Sequence, residues 1–197
     1  MASKAEQRRA DLREKLVIAA ESRIDRDGAV ALRARDLAGD VGCAVGAIYT
    51  AYDDLNALIM AVNGRTFQNL GQQVAASVQG AENEVATQRL ILMSNAYLAF
   101  AAENTNLWRA LFDLKMQAGD RVPEWYVQAL RDLFANIARP VAELFPNDGP
   151  EELDLMVRAL FSSVHGIVLL GLEQRISAVP LDKIKQMIAQ ILSQIGG

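Results

Sequence analysis

A single cysteine, Cys43, and a single histidine, His165, in 197 residues rule out an internal disulfide and a zinc site of the usual Cys/His kind. Neither a metal nor a cofactor is expected. No glycine-rich phosphate loop appears, the histidine pairs with no Ser or Cys nucleophile, and the acids sit on solvated faces, so an enzyme is not expected either. There is no sustained alternation of β-branched or aromatic residues bounded by turns, which argues against strands. The stretch Met1 to Arg9 is charged and lacks the apolar centre of a secretory signal, and later apolar runs look too short for the roughly 18 residues of a membrane span. The expectation is a cytoplasmic protein with no membrane partner.

Hydrophobic residues make up 51% of the sequence, and the charged residues are interspersed among them, as in a globular chain rather than a disordered one. The length suits one large domain, or a small one joined to a core of ordinary size. The net charge is −4, but it is unevenly placed. Residues 1 to 50 carry nine cations (Lys4, Arg8, Arg9, Arg13, Lys15, Arg23, Arg26, Arg33, Arg35) against eight acids (Glu6, Asp11, Glu14, Glu21, Asp25, Asp27, Asp36, Asp40). This asymmetry permits a nucleic-acid partner without requiring one.

Helical periodicity dominates, and the predicted fold is all-α, with about nine helices. A first helix is expected over about 4 to 26, with Leu12, Leu16, Ala20 and Ile24 on one stripe and Asp27-Gly28 at its end. Short helices over about 34 to 41 and 45 to 51 flank Gly42-Cys43-Ala44, which is helix-turn-helix spacing. Asp53 or Asp54 can cap a long fourth helix reaching about Gln79. Further helices are expected over about 82 to 102, 105 to 115, Pro123 to Phe145 with a kink at Pro140, 151 to 176, and 181 to 195, with a polar break at Gln117 to Val122. The domains are drawn as 1–52, a three-helix DNA-binding module, and 53–197, a larger helical domain entered through a connector helix, 53–79.

In the helix-turn-helix stretch, Leu37, Ala38, Val41, Ile48 and Tyr52 would pack under the first helix, leaving Val45, Gly46, Ala47, Tyr49 and Thr50 outward. A helix with so small an exposed face can lie deep in a major groove. The residues alone fit equally well a helical core in which Tyr49 is merely half-buried. Arg35-Asp36-Leu37-Ala38, Gly42, Gly46-Ala47-Ile48-Tyr49 and Leu58 resemble the DNA-binding signature of the TetR family, over roughly residues 10 to 60. The resemblance implies that Tyr49 meets the phosphate backbone, that Val45, Gly46, Ala47 and Thr50 line the groove, and that Arg33 to Arg35 meet phosphate. Lys4 and Arg8 join them as candidate DNA-binding cations. The chain departs from the family pattern at Arg33, Ala44, Ala51-Tyr52 and Leu55, the last standing where a phosphate-contacting lysine is usual. Fewer phosphate contacts predict a shallower salt dependence, by about 0.9 logarithmic units per contact.

Beyond Gly80, Met93, Tyr97, Phe100, Trp108, Leu111, Phe112, Met116, Trp125, Tyr126, Leu130 and Phe134 concentrate on three successive helices, with Met60 and Phe67 in reach from the fourth. Such a set suits a pocket for a small apolar or amphipathic ligand, or simply a packed core. Trp108 together with Val164-His165-Gly166 resembles a C-terminal domain type of the family marked by Trp, His and Gly. His165 is a candidate ligand contact, or a satisfied core residue. Leu181, Ile184, Ile188, Ile191 and Ile195 form a seam in the last helix, and Leu160, Val164 and Ile167 a stripe in the one before it, with Ser163, Gly166 and Gly171 allowing close approach. These two helices are the candidate dimer interface, with packing inside one chain as the alternative. The resemblance implies a homodimeric repressor on a palindromic operator in double-stranded DNA, released by a ligand. The competing expectation is a helical ligand- or protein-binding module with a degenerate DNA-binding domain.

Overall fold

The computed structural model describes residues 3–114, 122–173 and 179–195. Among these residues the structure is all-helical, with α1 (Lys4–Asp27), α2 (Ala34–Val41), α3 (Val45–Ala51), α4 (Leu55–Ala76), α5 (Ala86–Glu103), α6 (Thr105–Asp113), α7 (Glu124–Leu144), α8 (Pro150–Leu172) and α9 (Leu181–Leu192). The expected break at Gln117 to Val122 and Met116 lie almost wholly outside the described residues.

Local chemistry explains most of the ends. Ser3 and Glu6 open α1 with a reciprocal capping box, the Ser3 hydroxyl accepting from the Glu6 amide and the Glu6 carboxylate accepting from the Ser3 amide. Gly28, at φ 79°, ends it in a conformation that side chains resist. Asp54, not Asp53, caps α4, its carboxylate accepting from the Ala57 amide at 2.7 Å. Pro150 begins α8 where a missing amide hydrogen costs nothing, and Glu151 and Glu152 suit the positive end of the helix dipole. α7 runs through Pro140 as one α-helix. A short 3₁₀ turn, Ala29–Ala31, was not anticipated.

The described chain forms two compact units that do not follow chain order. Unit 1 comprises residues 1–67 and 104–126, and unit 2 residues 68–103 and 127–197. These units differ from the expected domains 1–52 and 53–197: the change of unit falls inside α4, and α6 is grouped with the N-terminal helices. The core of unit 1 shows why: Leu107 and Ala110 of α6 are buried with Leu16, Ala20 and Ile24 of α1 and with Leu37, Ile48 and Leu58. Asn106 of α6 also donates to the Asp25 carbonyl of α1 at 2.7 Å.

In unit 2, α5, α8 and α9 pack on one another. α8 presents Val157, Leu160, Val164 and Val168 inward, and α9 presents Ile184, Ile188 and Leu192. Contrary to the expectation from its sequence runs, α8 is long and apolar enough to cross a membrane by length and composition alone, with a mean hydropathy of 1.8 over an 18-residue window. Its polar interruptions, Ser162, Ser163, His165 and Gly166, break the literal apolar run yet hardly lower the average.

Candidate nucleic-acid interface and ligand cavity

The turn between α2 and α3 is built on Gly42, in the left-handed conformation at φ 71°, ψ 40°. Behind it, Leu37, Ile48, Ala51 and Tyr52 are buried, which turns the opposite side of α3 outward. Val45, Gly46, Tyr49 and Thr50 are exposed there, while Ala47 is half-buried. The Thr50 hydroxyl donates to the Gly46 carbonyl at 3.1 Å, so its oxygen keeps a lone pair for an incoming donor.

Two arginines missed by the sequence reading hold this module. Arg13 of α1 donates to the Ala51 carbonyl at the end of α3, and its guanidinium lies 4.2 Å from the Tyr52 ring centre. Arg23 of α1 pairs with Asp40 and lies 3.7 Å from Asp36, both on α2. The Arg23 hydrogen bond holds the Asp40 carboxyl below its ordinary pKa. No local pattern announces such partners, because they are 13 to 39 residues apart in sequence.

The candidate cations Lys4, Arg8 and Arg35 are exposed. Arg33 is turned back on the preceding backbone, donating to the Val30 carbonyl at 2.7 Å and the Leu32 carbonyl at 2.9 Å. A phosphate would have to compete with those two bonds.

The expected ligand residues divide between the units. In unit 1, Phe67 meets Tyr126 edge-on at 5.4 Å, Trp125 meets Tyr126 at 5.7 Å, and Trp108 meets Phe112 at 5.7 Å. Trp108 is fully buried, and Met60 is half-buried. Asn63, which the sequence reading passed over, donates to the Ala110 carbonyl at 2.8 Å and to the Tyr126 hydroxyl oxygen at 3.4 Å. Its own carbonyl oxygen is buried with no hydrogen-bond partner. Burial pushes the Tyr126 hydroxyl up in pKa, against the Asn63 hydrogen bond.

In unit 2, Met93 and Tyr97 line a cavity of about 40 Å³, and Phe100 and Leu130 do not. Its other walls are Leu90 and Ser94 of α5, Leu133 and Ile137 of α7, Leu160, Phe161 and Val164 of α8, Leu192 of α9 and Val74 of α4. His165 stands behind the wall, sharing a 2.7 Å hydrogen bond between Nδ1 and the Tyr97 hydroxyl, and burial pushes its pKa below the ordinary value. Ser94 and Phe161 were legible in principle, each one turn from a residue that was singled out.

The candidate dimer residues also divide. Leu160, Val164, Ile184 and Ile188 are buried inside unit 2, where this side of α8 and α9 packs within the chain, the alternative to an intersubunit seam. Gly171 serves the same contact, because a Cβ there would lie 2.6 Å from Cδ1 of Ile184. The outer side differs. Leu170, Leu181 and Ile191 are exposed, Ile167 and Ile195 half-buried. A shallow groove there is lined by Ser162, Ser163, Gly166, Ile167, Leu170, Gly171, Val179 and Met187.

A family model described as tetracyclin repressor-like, C-terminal domain, matches residues 90–194. The chain belongs to the TetR family. It is a transcriptional regulator with a DNA-binding helix-turn-helix at its N-terminus. Among proteins of curated function, none matches the sequence. Solved structures share the TetR fold. A protein of unknown function from Rhodococcus sp. RHA1 is 24% identical, with 94% of this chain and 96% of that one covered, at a TM-score of 0.75. RolR in complex with resorcinol is 18% identical over 96% of this chain and 90% of that one, at a TM-score of 0.70. FadR from Bacillus subtilis in complex with stearoyl-CoA is 14% identical over 91% of this chain and 96% of that one, at a TM-score of 0.68. At these identities the likeness carries the fold alone. The TetR match spans Leu90, Met93, Tyr97, Trp108 and His165, although Trp108 belongs to unit 1 and the other four to unit 2.

Proposed function

We propose that this TetR-family regulator is a homodimeric repressor that binds a palindromic operator and is released by a small apolar molecule. The observation that carries the DNA half is the exposed face of α3, small except for Tyr49 and held from behind by Arg13. Val45, Gly46, Ala47 and Thr50 meet base edges, Tyr49 meets phosphate, and Lys4, Arg8, Arg35 and, once released from its backbone bonds, Arg33 add charge. Two copies of α3 related by a two-fold axis would enter successive major grooves.

The outer face of α8 and α9 supports the dimer. Only 28% of the most apolar stretch of α8 is buried, and Leu155, Leu170, Leu181, Met187 and Ile191 are exposed along the two helices. An apolar face of that extent is a site for association, and Gly166, with open space at its Cα, lets a second helix approach.

The unit 2 cavity supports the ligand half. Val74 of α4 lines it, while Leu58, Ile59 and Val62 of the same helix belong to the core beneath α1 to α3. A guest that shifts Val74 therefore acts on the helix that carries the reading head, and release follows as a population shift.

A gel shift with the promoter DNA of the chain's own gene tests this reading. Tyr49→Phe should weaken binding to all sequences alike, whereas Thr50→Ala should change preference among them. If neither substitution alters any DNA affinity, the assignment of α3 is wrong. A bound ligand that leaves operator affinity unchanged would refute the coupling.

A further inference from the structure

We infer that the unit 2 cavity selects an uncharged, compact ligand, one ring or a short branched chain bearing a single hydroxyl or carbonyl group, and rejects the corresponding carboxylates. The inference rests on reading this cavity as the effector site. Among the described residues, none of its lining side chains is Lys, Arg, Asp or Glu, and the polar ones are Ser94 and Tyr97. The Tyr97 hydroxyl is bound to Nδ1 of His165 at 2.7 Å. Phe161 stacks on that imidazole at 5.7 Å with an interplanar angle of 18°, and meets Tyr97 edge-on at 5.8 Å. This wall is therefore an aromatic panel with hydroxyl edges.

A carboxylate entering it would find no counter-ion among the described residues of the wall. Burial pushes the His165 pKa down, so the imidazole is neutral near pH 7 and supplies no positive charge. Arg89, the buried cation of α5, is paired with Glu143 of α7. Leaving an anion unpaired in such surroundings costs at least about a hundredfold in affinity. A neutral hydroxyl loses far less, because Ser94 or Tyr97 can exchange a hydrogen bond with it.

Size argues for compactness. The cavity is about 40 Å³, well under the roughly 150 Å³ that admits benzene without rearrangement. A single ring can be accommodated as the flexible thioether of Met93 repacks. A long acyl chain would have to separate α5, α7 and α8 along much of their length.

The test uses the full chain with three probes of similar shape: benzyl alcohol, toluene and benzoate. Binding is followed by calorimetry and by the ¹³C-methyl resonance of Met93. Benzyl alcohol should shift that resonance and bind at least about a hundredfold more tightly than benzoate near pH 7.5. Val164→Phe, which fills the cavity, should abolish the shift, and Ser94→Ala should narrow the preference for benzyl alcohol over toluene. Benzoate binding within about tenfold of benzyl alcohol, with the Met93 shift lost in Val164→Phe, would overturn the inference and leave the effector-site reading intact. So would an unmoved Met93 resonance with benzyl alcohol and toluene alike. If Val164→Phe does not fold, the wild-type comparison of benzyl alcohol with benzoate at Met93 decides alone. The effector-site reading fails separately if a molecule that releases operator DNA from the wild type releases it equally from folded Val164→Phe.

Discussion

The guanidinium of Arg13 lies over the ring of Tyr52, 4.2 Å from its centre, and donates to the carbonyl of Ala51, the last residue of α3. One side chain of α1 thus satisfies an orphan carbonyl at the end of α3 and covers the residue that follows it. The Tyr52 hydroxyl returns a long hydrogen bond of 3.5 Å to the Arg13 carbonyl.

Arg13→Ala should therefore lower stability by about 1–2 kcal/mol, the sum of a partly exposed cation–π contact and one charged hydrogen bond. Operator affinity should fall with it, because α3 loses its brace. Arg13→Lys keeps the charge but not the planar stacking, and should fall between. Tyr52→Phe keeps the ring and loses only the long hydrogen bond, so its cost should stay below about 0.5 kcal/mol. Urea denaturation of the four proteins checks the order, and an Arg13→Ala protein as stable as the wild type would remove the brace from consideration.

Two glycines of α8 should respond in opposite ways to alanine. At Gly171 the new methyl would lie 2.6 Å from Cδ1 and 2.8 Å from Cγ1 of Ile184, which is fully buried and has nowhere to go. Overpacking of this kind costs about 1–3 kcal/mol and exceeds the roughly 1 kcal/mol that alanine returns in helix propensity. At Gly166 nothing lies within 4 Å of the added carbon, so the substitution should leave the subunit as stable or stabilise it by up to about 1 kcal/mol. Chemical denaturation of both variants separates close approach within the chain from open surface.

The last helix offers a similar contrast. Ile188 is fully buried and Ile191 is 44% exposed. Ile188→Glu places an unpaired carboxylate in the core of unit 2 and should prevent folding, seen as loss of the cooperative thermal transition. Ile191→Glu should fold normally, and by the dimer proposal it should sediment as a monomer. A dimer that survives Ile191→Glu and Leu170→Glu together would direct the search for an interface away from this face.

Acid should weaken unit 2 through His165. Its folded pKa lies below the ordinary value of 6.5 because burial disfavours the imidazolium. Between those two values the unfolded chain binds more protons than the folded one, so stability is full above about pH 6.5 and falls as the pH drops towards the folded pKa. His165→Gln, which cannot take a proton, should flatten the thermal midpoint between about pH 7 and pH 5 relative to the wild type. An unchanged slope would mean that His165 does not govern this range; Glu143, held below the ordinary carboxylate value by its bond to Arg89, loses its contribution only at lower pH.

Much of the helical order was legible because it is encoded within a few residues of itself. The stripe Leu16, Ala20, Ile24 and the glycine at 42 needed no tertiary information, since helical spacing and a positive φ are local properties. In α3 the same periodicity turned Ile48 and Tyr52 inward, and both are buried, but it left open whether Tyr49 was exposed or half-buried. The candidate ligand residues were not legible in the same way. Met93 and Trp108 are both large and apolar and lie 15 residues apart, yet one lines the unit 2 cavity and the other is buried in unit 1, and that choice is made by which helices pack together.

Composition and periodicity alone therefore determined that this chain is helical, roughly where its helices lie, and which residues of α1 share one buried stripe. Only the tertiary structure decided that α6 joins the N-terminal helices, that Arg13 braces the end of α3, and that Ile184 and Ile188 pack inside the chain while Leu181 and Ile191 are exposed. An apolar stripe specifies that a face must be covered but says nothing about by what. That information resides in contacts between residues distant in sequence, which exist only once the chain has folded.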